Sequence, residues 1–383
     1  MASIKIKFRS STIDNRKGAL YYQIIHKRVV RHITPMYRIY ENDIKDMRHT
    51  INQDIKRIRD IFVHFETLAV EYTADDIVSE YYFRLNELSF NSALINNIKQ
   101  LKQIGRIRTS ETYTAAFNSF NKFMENKDIY FDVIDSNLMI KYEAFLKKQN
   151  LTMNTISFYM RILRAVYNKG VESKLTEQNY PFKHVYTGIE RTVKRAVSIE
   201  TIKELKEYDF SRQRTLRIAR DLFLFSFYTR GMSFIDMAYL KKSNLSNGVL
   251  TYRRKKTGQQ LFIKWEKCMQ EIVDRYSHIT SNSNYMLPII TDKTKNERTQ
   301  YINSLSYTNK RLKKISQLLN LHNPITMYVA RHSWASIARK NRIPISIISE
   351  GMGHDSESTT LIYLSSLDSS AIDKANSQIL KLV

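Results

Sequence analysis

The chain is short of cysteine, glycine, proline and acid. Cys268 is its only cysteine in 383 residues. No disulfide framework can form within one chain, and a lone thiol fits a small core hydrophobe in a reducing cytoplasm. The nine glycines form no Gly-rich loop followed by Lys-Ser/Thr, which argues against a nucleotide-driven motor. The nine histidines build no His-Glu-x-x-His and no Cys/His cluster, so neither a metal site nor a cofactor is expected. No apolar run approaches the ~20 residues that a spanning helix needs, and no signal peptide opens the sequence, so the expected location is cytoplasmic. Neither internal repeats nor low-complexity tracts occur. Acid is the most telling shortage: 37 Asp and Glu face 61 Lys and Arg, for a net charge of +24 and a pI near 9.8. Such a chain needs a polyanionic partner. A membrane surface would attract the same charge, but nothing here anchors to one, and nucleic acid is the expected partner. The length leaves room for two or three domains.

What is present follows the chain. Ile4, Ile6 and Phe8 alternate with Lys5, Lys7 and Arg9, a period-two strand with a basic exposed face. Leu20 to Ile25 and Val29 to Ile33 read as two further strands, completing a small basic sheet. From Asn42 to about Leu88, Ile51, Ile55, Ile58 and Phe62 fall at helical spacing, and one long helix is expected. Residues 109 to 175 read as a compact helical domain. Its first helix buries Tyr113, Ala116, Phe117 and Phe120. A second starts near Ser136 as N-cap and buries Leu138, Tyr142, Phe145 and Leu146. The third buries Ile156, Tyr159, Met160, Leu163, Val166 and Tyr167. Arg161, Arg164 and Lys169 lie on its other face, where either plain solvation or contact with DNA phosphates would suit them. Residues 181–197, with Pro181, Lys183, His184, Arg191, Lys194 and Arg195 and little apolar periodicity, read as a linker. From Val197 a helical pattern holds to the end, interrupted by Leu250 to Tyr252 and Leu261 to Ile263 around a Thr257-Gly258 turn. The expected fold class is mainly α with small β-sheets (α+β).

Chemistry concentrates in Tyr328-Val-Ala-Arg331-His-Ser-Trp-Ala, in Gly353-His354, and in Tyr363. A guanidinium fork fits phosphate oxygens, a histidine can donate to the same group, and a tyrosine hydroxyl is a possible covalent nucleophile. These elements at these offsets resemble the tyrosine recombinases, the phage-integrase family. The resemblance extends to Lys256 before Thr257-Gly258, where the family holds a hairpin lysine that protonates the leaving 5′ oxygen. Lys255 is the fallback, and read alone a Lys-rich tip also protects an exposed sheet edge. The run Phe227-Tyr-Thr-Arg230-Gly-Met-Ser233-Phe-Ile-Asp236 departs from the pattern, because the family's first catalytic arginine would fall on Ser233. Arg230 lies one helical turn earlier, ~4.5 Å of rise away on nearly the same face, so its charge could reach the same phosphate. Integrases from mobile elements of gut anaerobes share the Arg-Gly-Met-Ser-Phe wording. A second departure is Tyr328, where most members carry histidine; a phenol with an ordinary pKa of about 10 is a poor base near neutral pH.

The resemblance implies three modules: an N-terminal arm-DNA-binding sheet plus helix (1–100), a helical, SAM-like core-DNA-binding domain (101–180), and, beyond the linker, a catalytic domain with a C-terminal tail (198–383). It implies site-specific cutting and rejoining of double-stranded DNA through a 3′-phosphotyrosyl link to Tyr363, without metal or ATP. Arg230, Lys256, Arg331 and His354 would be the other catalytic residues. It further implies a homo-tetramer on DNA in synapsis, with possible accessory DNA-bending proteins. The apolar tail residues Ile372, Ile379, Leu380 and Leu382 would pack on a neighbouring protomer, or equally cap their own core. Integration or excision of a mobile element is the main expectation. A DNA invertase, a type IB-like topoisomerase and a binding-only regulator stay open.

Overall fold

A computed structural model describes residues 2–10, 17–34, 38–68, 70–190, 196–364, 376–377 and 379–380, with a few side chains left out of these spans, those of Ile362 and Tyr363 among them. The chain divides into two compact units, Met1–Glu190 and Arg191–Val383.

In the first unit, β1 (Ser3–Arg9), β2 (Gly18–His26), β3 (Val29–Ile33) and β4 (Arg38–Ile39) form an antiparallel sheet, with β2 flanked by β1 and β3 and also pairing β4. The central strand buries alternate residues, Leu20, Tyr22 and Ile24, as a period of two requires. Edge strand β1 stays open: Lys5, Lys7 and Arg9 are exposed, and even Ile6 is 47% exposed. The single long helix expected over 42–88 is two helices, α1 (Arg48–Thr67) and α2 (Ala74–Leu88). The break has a local cause. The Thr73 hydroxyl accepts from Asp76 N–H at 3.2 Å while the Asp76 carboxylate accepts from Thr73 N–H at 2.8 Å, a reciprocal cap that starts a new helix. Folding back lets Ile58, Ile61, Ile77 and Tyr81 share one core with the sheet.

The helices α3 (Phe90–Gln103), α4 (Ile107–Phe123), α5 (Ser136–Lys148) and α6 (Met153–Glu172) enclose a second core, rich in Phe90, Phe120, Phe131, Tyr142 and Tyr167. The cap of α5 is Asp135 rather than Ser136; its carboxylate takes the Leu138 N–H at 2.7 Å, and a carboxylate there also suits the helix dipole. Phe182 and Val185 are buried in this core, so the first half of the expected linker is packed structure anchored by apolar side chains. The expectations for Arg191, Lys194 and Arg195 lie outside the described residues.

The second unit is built around α8 (Arg214–Tyr228), preceded by α7 (Ile199–Glu207) and followed by the short α9 (Phe234–Ala238). In the C-terminal half of α8 four consecutive residues, Leu222, Phe223, Leu224 and Phe225, are buried, so this part of the helix packs on every side at the domain centre. A small antiparallel sheet follows, β5 (Leu245–Ser246), β6 (Val249–Arg253) and β7 (Gln260–Lys264), then α10 (Lys267–Arg275), α11 (Ser277–Thr280) and α12 (Glu297–Leu318). The helix α13 (Met327–Lys340) packs on α8, and α14 (Ile345–Met352) and α15 (Glu357–Leu364) complete a satellite cluster of Ala335, Ala338, Ile348, Met352 and Leu364.

Candidate active site

The end of α8 is where the first departure resolves. Arg230 and Gly231 adopt consecutive left-handed conformations, φ +60° and +75°, and Gly231 N–H reaches back to the Ser226 carbonyl at 2.8 Å. The chain then extends, and Ser233 is the N-cap of α9, with its hydroxyl donating to the Asp236 carboxylate at 2.6 Å. Arg230 and Ser233 are therefore not on one helix, and the expected one-turn offset between them does not exist in the fold. Arg230 arrives by the turn instead: its Cδ lies 3.6 Å from where a Cβ on Gly351 would stand. Gly231 is required for close approach. A Cβ there would sit 2.7 Å from Arg331 Cα, with an unfavourable positive φ besides.

Arg331 projects from α13 and is only 5% exposed. Its Nη1 donates to the Gly231 carbonyl at 2.9 Å, and Nη2 to the Met352 carbonyl at 2.7 Å. Nη2 also faces His354 Nε2 at 3.0 Å. The second edge of the ring, Nδ1, lies 2.7 Å from Thr360 Oγ1. A guanidinium only donates, so Nε2 accepts, and a neutral ring then carries its proton on Nδ1. Burial holds the imidazole neutral, its pKa pushed down to about 4, with Arg331, Arg254 and Lys256 adding to the effect and Asp355 opposing it. The expected donation from His354 to a phosphate is thus replaced, in this geometry, by acceptance from Arg331.

The hairpin β6–β7 supplies the third wall. Gly258, at φ +75°, makes the turn. Lys255 N–H donates to Asp236 at 2.8 Å, which fastens the hairpin tip to α9. The Lys255 ammonium sits 4.7 Å over the Tyr239 ring, whereas the charge of Lys256 is felt by His354. The geometry thus separates the two lysines. Arg254, which the sequence reading did not single out, is only 6% exposed. Its Nη1 donates to the Gly353 carbonyl, and its Nε is buried without a hydrogen-bond partner. The signal for it was present: Leu250, Tyr252 and Arg254 share one parity of the strand, the buried one, and Arg253 the exposed one. Tyr252 reports where the charges meet. Burial raises its pKa far above the ordinary phenol, helped by Asp236, against the pull of Arg331, Arg254 and Arg230. It remains a neutral phenol amid three guanidiniums.

The other expected residues fall as follows. Tyr328, on the first turn of α13, is 58% exposed and packs edge-on against His332, ring centroids 4.4 Å apart. Tyr363 lies on α15, and its side chain is outside the described residues. Arg161, Arg164 and Lys169 belong to α6 in the first unit; Arg164 and Lys169 are exposed, and Lys169 donates to Asn97 Oδ1 at 2.6 Å. Of the tail, Ile379 and Leu380 are exposed, while Ile372 and Leu382 lie outside the described residues. Among the described residues no helix is long and apolar enough to cross a membrane.

Residues 89–185 match the model of the phage integrase SAM-like domain, and residues 199–370 that of the phage integrase family. Over 300 residues the chain is 22% identical to the tyrosine recombinase XerC of Leptospira interrogans, spanning 75% of this chain and 94% of that protein. Its fold is similar to that of the lambda integrase dimer bound to a COC′ core site, with a TM-score of 0.56 at 14% identity over 73% of this chain and 97% of that one. It is also similar to the Tn1549 transposon integrase in complex with transposon right end DNA, with a TM-score of 0.53 at 13% identity over 77% and 99%.

Proposed function

Since the chain belongs to the tyrosine recombinase, or phage integrase, family, we propose that the cluster around Arg331 grips the scissile phosphate during site-specific recombination of a mobile element. The protein is a DNA strand-exchange enzyme. The observation that carries the site assignment is the convergence of Arg230, Arg254 and Arg331 on one locus with a neutral histidine. Among the described contacts, Arg254 and Arg331 donate to the carbonyls of Gly353, Gly231 and Met352 and to the His354 imidazole. A phosphodiester gains charge on its non-bridging oxygens as it is attacked. Fixed guanidiniums in a dry pocket stabilise that charge with little reorganisation.

In this reading Tyr363 attacks phosphorus, forming the Tyr O–P bond as the P–O5′ bond breaks, and Lys256 gives the 5′ oxygen its proton. The phosphotyrosyl ester keeps the bond energy, so rejoining by a 5′ hydroxyl needs no ATP. Arg230 replaces the arginine absent at Ser233. Duplex DNA is the substrate, and Arg161, Arg164 and Lys169 on α6 contact its backbone. A tetramer in synapsis, assisted by DNA-bending proteins, is the assembly proposed. The basic edge of the N-terminal sheet supports integration, as a second DNA-binding surface.

Covalent trapping tests the reading. The protein is mixed, without metal or ATP, with a nicked duplex bearing the end sequence of its own element, and denatured in SDS. A resistant protein–DNA band with wild type, absent with Tyr363→Phe, is expected. Persistence of the band in Tyr363→Phe would move the nucleophile elsewhere.

A further inference from the structure

We propose that Thr360 is a positioning residue of this site: its hydroxyl accepts from His354 Nδ1, fixes the ring with Nε2 as an acceptor, and ties it to the helix that carries Tyr363. The inference rests on the strand-exchange reading above and deepens it.

Thr360 is fully buried, at 0% exposure, in the second turn of α15. A buried hydroxyl needs a partner, since leaving one unpaired costs about 1–3 kcal/mol. The partner here is the imidazole at 2.7 Å. The opposite ring edge meets Arg331, which can only donate. These two contacts from different helices leave one arrangement for the neutral ring: proton on Nδ1, lone pair on Nε2. The charged groups facing the ring are Arg331 from α13, Arg254 and Lys256 from the hairpin, and Asp355 from the loop before α15. Three of the four are cationic and oppose a second proton until the negative charge of a bound phosphate offsets them.

The consequence concerns the proton of the nucleophile. Tyr328 stands where a histidine base is common and is a weak base itself. When a phosphate draws the Arg331 guanidinium to its own oxygens, Nε2 is left as an open acceptor beside the reacting centre. It takes the proton of the attacking Tyr363 hydroxyl as the Tyr O–P bond forms, while Lys256 protonates the departing 5′ oxygen. Thr360 and Tyr363 are three residues apart on one helix, so any shift of α15 moves the nucleophile and the tautomer clamp together.

The test uses full-length protein with ¹⁵N-labelled histidine, the signal of His354 being identified by its loss in His354→Gln. Wild type and Thr360→Ser should show the Nδ1–H tautomer, and Thr360→Val a mixture. On the nicked duplex, Thr360→Val should trap covalent product about tenfold to hundredfold more slowly, a part of what a positioned proton acceptor contributes, and Thr360→Ser within about threefold of wild type. A Thr360→Val protein that keeps both the Nδ1–H tautomer and the wild-type rate would overturn the proposal. If that variant does not fold, Thr360→Ala replaces it. A wild-type ring carrying its proton on Nε2 overturns the proposal without any variant. The strand-exchange reading fails separately, by a band that survives Tyr363→Phe.

Discussion

Around Asp221, two arginines and a phenol converge on one carboxylate: Arg220 at 2.8 Å, Arg275 at 2.6 Å and the Tyr276 hydroxyl at 2.7 Å. Around Arg331, three guanidiniums meet at Tyr252, and the described contacts of Arg254 and Arg331 are carbonyls and an imidazole. The nearby Asp236 is engaged by Lys255 N–H and the Ser233 hydroxyl, so it holds the hairpin to α9. Both clusters lie in the same unit and are rich in arginine. In the first one buried carboxylate collects all three donors, which is how a structural ion cluster is built. In the second the described guanidinium contacts go to carbonyls and an imidazole rather than to one shared carboxylate, an arrangement that suits an incoming phosphate. What distinguishes the two among the described contacts is the carboxylate that the donors of the first share.

That comparison can be broken in several ways, the largest first. Arg331→Lys keeps a cation but loses the fork, and should slow covalent trapping about 10²- to 10³-fold, with duplex binding in a gel shift changed only a few-fold. Next, Asp221→Ala strands two cations and should lower stability in urea by about 3–5 kcal/mol. By contrast, Arg254→Met should change stability by within about 1 kcal/mol while still slowing trapping. Equal losses of stability in the two variants would erase the distinction. Gly231→Ala forces a Cβ against Arg331 at a positive φ and should cost about 1–3 kcal/mol of stability, with trapping reduced in parallel. The smallest effect is one of pH. His354 titrates near 4 when folded, against 6.5 unfolded. The unfolded chain therefore binds more protons between those values, and stability is intact above about pH 6.5 and falls as pH drops towards 4. His354→Gln should flatten that window in urea titrations at stepped pH.

Much of this was legible in the residues. Period-two alternation points to β1, the Thr257-Gly258 turn signal to the β6–β7 hairpin, and helical stripes to α4, α5 and α6. The offsets of Arg331, His354 and Tyr363 point to the family. Where the reading missed, a local rule competed with a global one. The helix expected over 42–88 breaks at a Thr73–Asp76 cap that helical periodicity on either side conceals. Residues 181–189 look like linker because an irregular segment has no period, yet Phe182 and Val185 anchor it. Arg230 was placed on a helix because its neighbours are apolar and helical, whereas Gly231 permits the left-handed turn that ends α8. Arg254 was hidden inside a basic run, although strand parity distinguished it from Arg253. Thr360 had no signal beyond its distance from Tyr363, because a hydroxyl that orients a histidine is indistinguishable from any other helical threonine until the fold brings them together.

The most direct measurement asks whether the arginines act on phosphate charge. A nicked duplex with a methylphosphonate at the scissile position removes the negative charge while keeping the bond to be broken. Arg331→Ala and Arg254→Ala should trap poorly on the phosphate substrate and recover much of the deficit on the methylphosphonate, because the charge they balance is gone. An equal defect on both substrates would contradict the account, and would assign these arginines to holding the loops rather than the phosphate.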